Sequence, residues 1–192
     1  MTKVILASAS PRRHDLLSQI GVRFEVRVPE IDESPMEGED PVGYVRRLAI
    51  AKADAVSSAP DELVIAADTT VDLDAMIMGK PSDDRDAKSM LRRLSERTHR
   101  VHTGVAVRLG GRELADVCTT SVTFVPLDEA TIDWYVDTGE PLGKAGSYAL
   151  QGAGAALVSG VEGSVSNVIG LPLHLVVELA DRLGVALLKE SD

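Results

Sequence analysis

The stretch from Ala66 to Pro81, AADTTVDLDAMIMGKP, does most to limit how this chain can fold. It continues an apolar run, Leu63 to Ala67, that breaks off at Asp68-Thr69. A short apolar run with that ending reads as a buried strand with a polar tip. In α/β folds ligands collect in the crevice beyond the carboxyl ends of strands, so Asp68 is placed to meet one. Lys80 precedes Pro81, which keeps it extended and outside any helix. A carboxylate and a lysine on stiff backbone, facing one crevice, point to a metal and a phosphate. The plainer reading of Asp68, a cap or turn residue after a strand, stays equally open on this stretch alone.

A chain of 192 residues is expected to form one domain spanning 1–192, or two closely joined lobes, and to bury roughly 70% of its unfolded surface. The single cysteine, Cys118, cannot close an internal disulfide, and VILAS near the N-terminus is too short for a signal-peptide core. No apolar run approaches the ~20 residues of a membrane span. The expectation is a reduced, cytoplasmic protein away from membranes. A net charge of -10 with one Trp, three Tyr and two Phe argues against a nucleic-acid surface, which needs basic stripes and stacking rings. An acidic chain that binds phosphates must gather positive charge locally. Most of its carboxylates are solvated surface, although divalent cations suit such a composition.

Along the chain, Lys3 to Ala7 reads as a first strand, and Ser10 caps a helix that starts at Pro11 and stops at Gly21. Strand, serine loop and helix start form a concavity of backbone N–H groups that favours anions. Arg12 and Arg13 oppose the helix dipole in the first turn, a penalty an anion between them removes; the alternative is two exposed surface arginines. Phe24 to Val28 reads as a strand, followed by a mobile acidic loop from which Glu33 can reach a metal or merely meet water. A second helix, Asp40 to about Ser58, has the inward stripe Val45, Ala49, Lys52, Val56. Lys52 in that stripe either snorkels to water or extends into a polar cavity, where it adds a phosphate charge.

Asp83 to Arg97 is an amphipathic helix, and Gly110-Gly111 joins the strands Val101 to Leu109 and Leu114 to Val125 in a hairpin. His99 and His102 point to opposite faces at strand spacing and lack a third ligand, so neither reads as a metal site. A helix from Asp128 closes at Gly139, and the glycines of Lys144 to Gly152 allow a close backbone approach. Gln151 both donates and accepts, which suits reading the edge of a base. Ala155 to Val158 is expected as a short buried strand, Val161 to Asn167 as a loop, and Leu171 to Leu183 as the last helix. Gly79-Lys80 is not a Walker A loop, since Asp74 occupies the earlier glycine position and Pro81 follows the lysine.

These segments resemble the Maf family of nucleoside triphosphate pyrophosphatases. The resemblance rests on LASASPRR (Leu6 to Arg13), the helix segment Leu48 to Ala53, AADTTV (Ala66 to Val71), GKP (Gly79 to Pro81), MLRRLSERTHRVHTGVAV (Met90 to Val107), KAGSYALQG (Lys144 to Gly152) and NVIGLPL (Asn167 to Leu173). It implies a two-lobed α/β fold similar to inosine triphosphatases, with a mixed, twisted sheet, flanking helices and a central cleft. It also implies a hydrolase dependent on Mg²⁺ or Mn²⁺ that splits a nucleoside triphosphate between the α and β phosphates, and a homodimer. On that resemblance Asp68 matches a proton acceptor, Ser8, Arg12, Arg13, Lys52 and Lys80 match phosphate contacts, and Glu33 matches a metal-associated or catalytic acid. Arg12, Thr69 and Gln151 match positions that separate a dTTP and UTP branch from a 7-methyl-GTP branch, and side with the former. Thr70, Glu96 and Gly143 depart from the family's usual apolar residue, glycine and aspartate, the last leaving the loop near Gln151 less defined.

A triphosphate repels attacking water unless cations neutralise its oxygens, and the arginines, lysines and a hard metal ion supply that. Asp68 either deprotonates the water or holds the metal. The competing readings are a nucleotide-binding regulator of cell division without turnover, and a hydrolase of modified nucleotides.

Overall fold

The computed structural model of the protein describes residues 2–188; Met1 and residues 189–192, the ends of the expected domain, lie outside them. Seven strands form one mixed sheet in the order β2-β1-β3-β5-β6-β7, with β4 against β3. These are β1 (Lys3–Ala7), β2 (Phe24–Val26), β3 (Glu62–Leu73), β4 (Met76–Met78), β5 (Thr98–Leu109), β6 (Arg112–Phe124) and β7 (Val158–Glu162). The helices are α1 (Pro11–Gln19), α2 (Pro41–Ala55), α3 (Asp84–Leu94), α4 (Glu129–Asp137), α5 (Val165–Ile169) and α6 (Leu173–Arg182). β1 runs parallel to β2 and β3, while all other pairs are antiparallel.

Alternation along the long strands distributes the helices. Odd residues of β3 and β5 face one side: Leu63, Ile65, Val105 and Val107 pack with α1 and α6, while Val71, Leu73 and Val101 pack with α3 and α4. Two apolar clusters on one side of a continuous sheet are the two lobes. Between them α5 is sewn to the sheet, its Asn167 donating to the Val101 carbonyl at 3.0 Å and to Thr120 Oγ1 at 2.9 Å. Even residues face the other side, where Val64, Ala66 and Ala106 receive Ala49, Ala53 and Val56 of α2. Gly104 makes that contact close, since a Cβ there would lie 2.2 Å from the Val45 carbonyl oxygen.

The helix starts follow the expected chemistry at Asp40, Asp83 and Asp128, whose carboxylates each accept from first-turn N–H groups. Ser10 occupies the cap position of α1 but its side chain makes no cap bond; Ser8 Oγ accepts the Ser10 N–H instead, at 3.2 Å. α2 stops at Ala55, short of Ser58, because the Arg108 guanidinium binds the carbonyls of Ala53 and Val56 and ends the helix there.

Three expectations are corrected. β3 does not end at Asp68 but continues to Leu73, because Val71 and Leu73 resume the inward pattern and pair with β4. Ala155 to Val158 is not a strand: Ala153–Leu157 forms a 3-10 turn of small residues, and pairing with β6 starts at Val158, where β-branched residues return. The segment expected as a loop from Val161 instead completes β7 and enters α5, capped by Ser164. Glu96, where the resemblance has glycine, sits at φ +58°, a left-handed conformation that favours glycine.

Candidate active site

β3 carries the site because its neighbours leave part of one edge free. β1 pairs with it from Glu62 to Ala66, and β4 from Val71 to Leu73, so residues 67–70 have no strand partner on that side. Asp68 and Thr69 lie in this gap, pointing to opposite faces, and both line a cavity of about 870 Å³. The crevice is therefore beyond the carboxyl end of β1. Ser8, Arg12, Arg13, Glu33, Lys52, Lys80 and Gln151, though distant in sequence, line the same cavity.

On the α2 face, Lys52 is buried and its ammonium donates to Asp68 Oδ1 at 2.5 Å and pairs with Glu33 Oε1 at 2.7 Å. The structure thus selects the polar-cavity reading of Lys52 over snorkelling. Lys80, largely exposed after β4, reaches Glu33 at 3.8 Å. Burial alone would raise the Glu33 carboxyl, but the Lys52 hydrogen bond and the charges of Lys52, Lys80 and Arg13 outweigh it and hold it lowered. Two carboxylates therefore converge on one ammonium.

On the opposite face, Arg13 is buried rather than exposed. It donates to the Gly170 carbonyl at 2.8 Å, Ser8 Oγ at 3.2 Å and Thr69 Oγ1 at 3.1 Å, tying α1, β1, β3 and the end of α5 together. Thr69 Oγ1 also meets Thr103 Oγ1 at 2.9 Å. Arg12, half-buried beside it, makes no hydrogen bond or ion pair among the described residues; desolvation lowers its pKa. Lys144 is lowered for the same reason and by nearby Arg12. Two partly desolvated cations side by side at a cavity wall make a place for an anion.

His99 and His102 take no part. His99 meets Tyr148 Oη at 2.8 Å in the α3–α4 lobe, and His102 meets Asp72 at 3.2 Å on the other face. Among the described residues no group of three or more His, Cys, Asp or Glu gathers as a metal cage. The two convergent carboxylates suit Mg²⁺ or Mn²⁺ in a different way, since such ions are commonly held by one or two carboxylates with substrate phosphates completing the shell.

A family model described as Maf-like protein matches residues 3–183. The chain belongs to the Maf family. Among curated Maf relatives, a dTTP/UTP pyrophosphatase of Myxococcus xanthus is 53% identical over 187 residues, covering 97% of this chain and 95% of that protein. Another, from Symbiobacterium thermophilum, is 48% identical, covering 96% of this chain and 95% of its own length. Likeness to solved structures is remote: the Staphylococcus aureus Ham1 protein superposes with a TM-score of 0.47 at 15% identity, covering 96% of this chain and 91% of that one.

Some residues that shape this Maf site carry no obvious chemistry in the sequence. Gly104 sits opposite Asp68 in register and sets how near α2 approaches. A lone glycine inside a strand is the signal for such an approach. Glu140, a cavity-lining residue after α4, binds the N–H groups of Ala153 and Gly154, each at 2.9 Å. No local pattern marks it. Among the described residues no helix is long and apolar enough to cross a membrane.

Proposed function

We propose that the chain is a divalent-metal-dependent nucleoside triphosphate pyrophosphatase acting on dTTP and UTP in the cytoplasm as one 1–192 domain. The observation that carries this reading is the buried Lys52–Asp68 pair opening onto a cavity whose other wall holds Arg12, which has no ion-pair partner among the described residues. The names of the relatives supply the reaction and the bases; the chemistry of the residues supplies the assignment of roles.

In this reading the triphosphate lies along the free edge of β3. Arg12, Lys80 and the N–H concavity after Ser8 hold its phosphates, while Arg13 keeps Ser8 and Thr69 in place. Asp68 and Glu33 would hold a divalent ion, which supplies charge neutralisation on the phosphate oxygens. Water attacks the α-phosphorus, the bond to the bridging oxygen breaks, and monophosphate and pyrophosphate leave. Lys52 holds Asp68 aimed at that water. Gln151 faces the base.

The test is pyrophosphate release from dTTP, UTP and 7-methyl-GTP, with and without Mg²⁺ or Mn²⁺, beside Asp68→Asn. Metal-dependent release from dTTP and UTP, reduced by about 10²- to 10⁴-fold in the variant, is expected. Nucleotide binding without release would replace this reading with that of a regulator, and preferred release from 7-methyl-GTP would move the chain to the other branch.

A further inference from the structure

We infer that Glu140 is the positioning residue of the base-reading turn, Ala149 to Gly152, and that its carboxylate sets which pyrimidine the site accepts. This rests on the reaction proposed above and concerns how its base is chosen.

Glu140 touches none of the phosphate-binding side chains within hydrogen-bond distance. Its carboxylate is filled instead by three donors: Tyr135 Oη at 2.8 Å and the N–H groups of Ala153 and Gly154, each at 2.9 Å. The same Tyr135 hydroxyl accepts the Ala149 N–H at 3.1 Å. Both ends of the turn are thus fastened to one phenol–carboxylate pair, and Tyr135 is itself fully buried in the α3–α4 lobe. The turn is moulded around this anchor. A Cβ on Gly152 would lie 1.8 Å from Glu140 Oε2, and one on Gly154 2.7 Å from Tyr135 Oη. Burial raises the Glu140 carboxyl, yet its donors and Lys144 together leave it lowered, so the anchor is held as the anion.

Between the two fastenings, the N–H groups of Leu150 and Gln151 and the Gln151 amide have no partner among the described residues, and both residues line the cavity with Arg12. Uracil and thymine present a keto oxygen where cytosine presents an amino group. Unpaired N–H donors on a fixed turn match the first and leave the second facing another donor, which a site built to hydrogen-bond rejects. A glutamine amide alone cannot discriminate, because by rotating it donates or accepts. Discrimination therefore depends on the backbone being held, and Glu140 holds it.

The experiment measures affinity for the α,β-imido analogues of UTP and CTP, which do not turn over, together with kcat and KM for UTP and CTP hydrolysis, in the wild type, Glu140→Gln, Tyr135→Phe and Gly152→Ala. The wild type should prefer the uridine analogue by at least about tenfold, and each variant should lose most of that preference. KM for UTP should rise about tenfold while kcat falls no more than about threefold. Because Gly152→Ala evicts the same carboxylate, Glu140→Gln/Gly152→Ala should be no worse than either single change. Equal loss for both bases, a fall in kcat with the preference intact, or additive effects would overturn the inference. So would a wild type that binds both analogues alike. Should Glu140→Gln not fold, Tyr135→Phe keeps the carboxylate while freeing Ala149, and the same comparison decides. If the wild type hydrolyses nothing, the reaction is wrong, yet the analogue affinities still judge Glu140.

Discussion

Replacing Lys52 by methionine tests the centre of the site most directly. The side chains of Lys52 and Asp68 are 8% and 10% exposed and meet at 2.5 Å, so water cannot take over the role of either partner. Glu33 is 44% exposed, and its contact with Lys52 contributes little, about 0–1 kcal/mol. Methionine keeps the stem's volume and packing in α2 but leaves Asp68 buried beside a second carboxylate. Breaking a buried pair from one side costs about 3–5 kcal/mol. At about 2–4 °C per kcal/mol for a chain of this size, the melting temperature should drop by roughly 6–20 °C. Asp68→Asn should cost less, because Lys52 retains Glu33 and an amide oxygen. Lys52→Met/Asp68→Asn should then be more stable than Lys52→Met alone, and the cycle should show coupling of about 1–3 kcal/mol. Urea unfolding of the four proteins measures this. A Lys52→Met cost below about 1 kcal/mol, with additive singles, would show that the pair is solvated and refute the argument.

Three further outcomes follow from backbone and burial. Gly104→Ala puts a Cβ 2.2 Å from the Val45 carbonyl oxygen; clearing 3.0 Å needs α2 to retreat by about 0.8 Å, so denaturation should show a loss of at least about 2 kcal/mol. Glu96→Gly should stabilise by about 0.5–1 kcal/mol, because relief of the left-handed conformation at φ +58° exceeds glycine's entropic cost; a lower melting temperature would contradict this. Burial lowers His99 from 6.5 to about 4, so the folded protein holds it neutral while the unfolded chain takes up a proton. Its contribution is complete above pH 6.5 and is lost as pH falls toward 4, at most about 3 kcal/mol, and His99→Gln should flatten the stability profile over that window.

Where chemistry is local, the sequence was legible. Asp40, Asp83 and Asp128 as helix starts, Gly110-Gly111 as a hairpin turn and Lys52 in an apolar stripe each follow from residue type and spacing, and each stands in the structure. What the sequence hid depends on elements meeting across the chain. Glu140 is one acid among many until Ala153 and Gly154 fold back onto it. Arg13 looks like a surface cation in a helix's first turn until Gly170, 157 residues on, supplies a carbonyl. The 3-10 turn at Ala153–Leu157 is hidden for the same reason: its residues are consistent with a strand, and it is the Glu140 carboxylate, binding two successive N–H groups, that turns the backbone.

Asp68 shows how a wrong local boundary still led to the right place. The apolar run ends at Ala67, and a strand that ended there would put Asp68 at its tip. Instead β3 runs six residues beyond Ala67 to Leu73, and the strand end belongs to β1, which stops at Ala7 opposite Ala66. β1 stops because Ser8-Ala9-Ser10-Pro11 turns the chain into α1, with Pro11 fixing the first helical turn. The free edge that admits a ligand to Asp68 is thus made by the serine loop, more than fifty residues earlier. Lengthening β1 by two residues would pair residues 67 and 68 and close that edge without altering one side chain of the site. In this fold, the shortness of one strand leaves the buried carboxylate of its neighbour at the wall of the cavity.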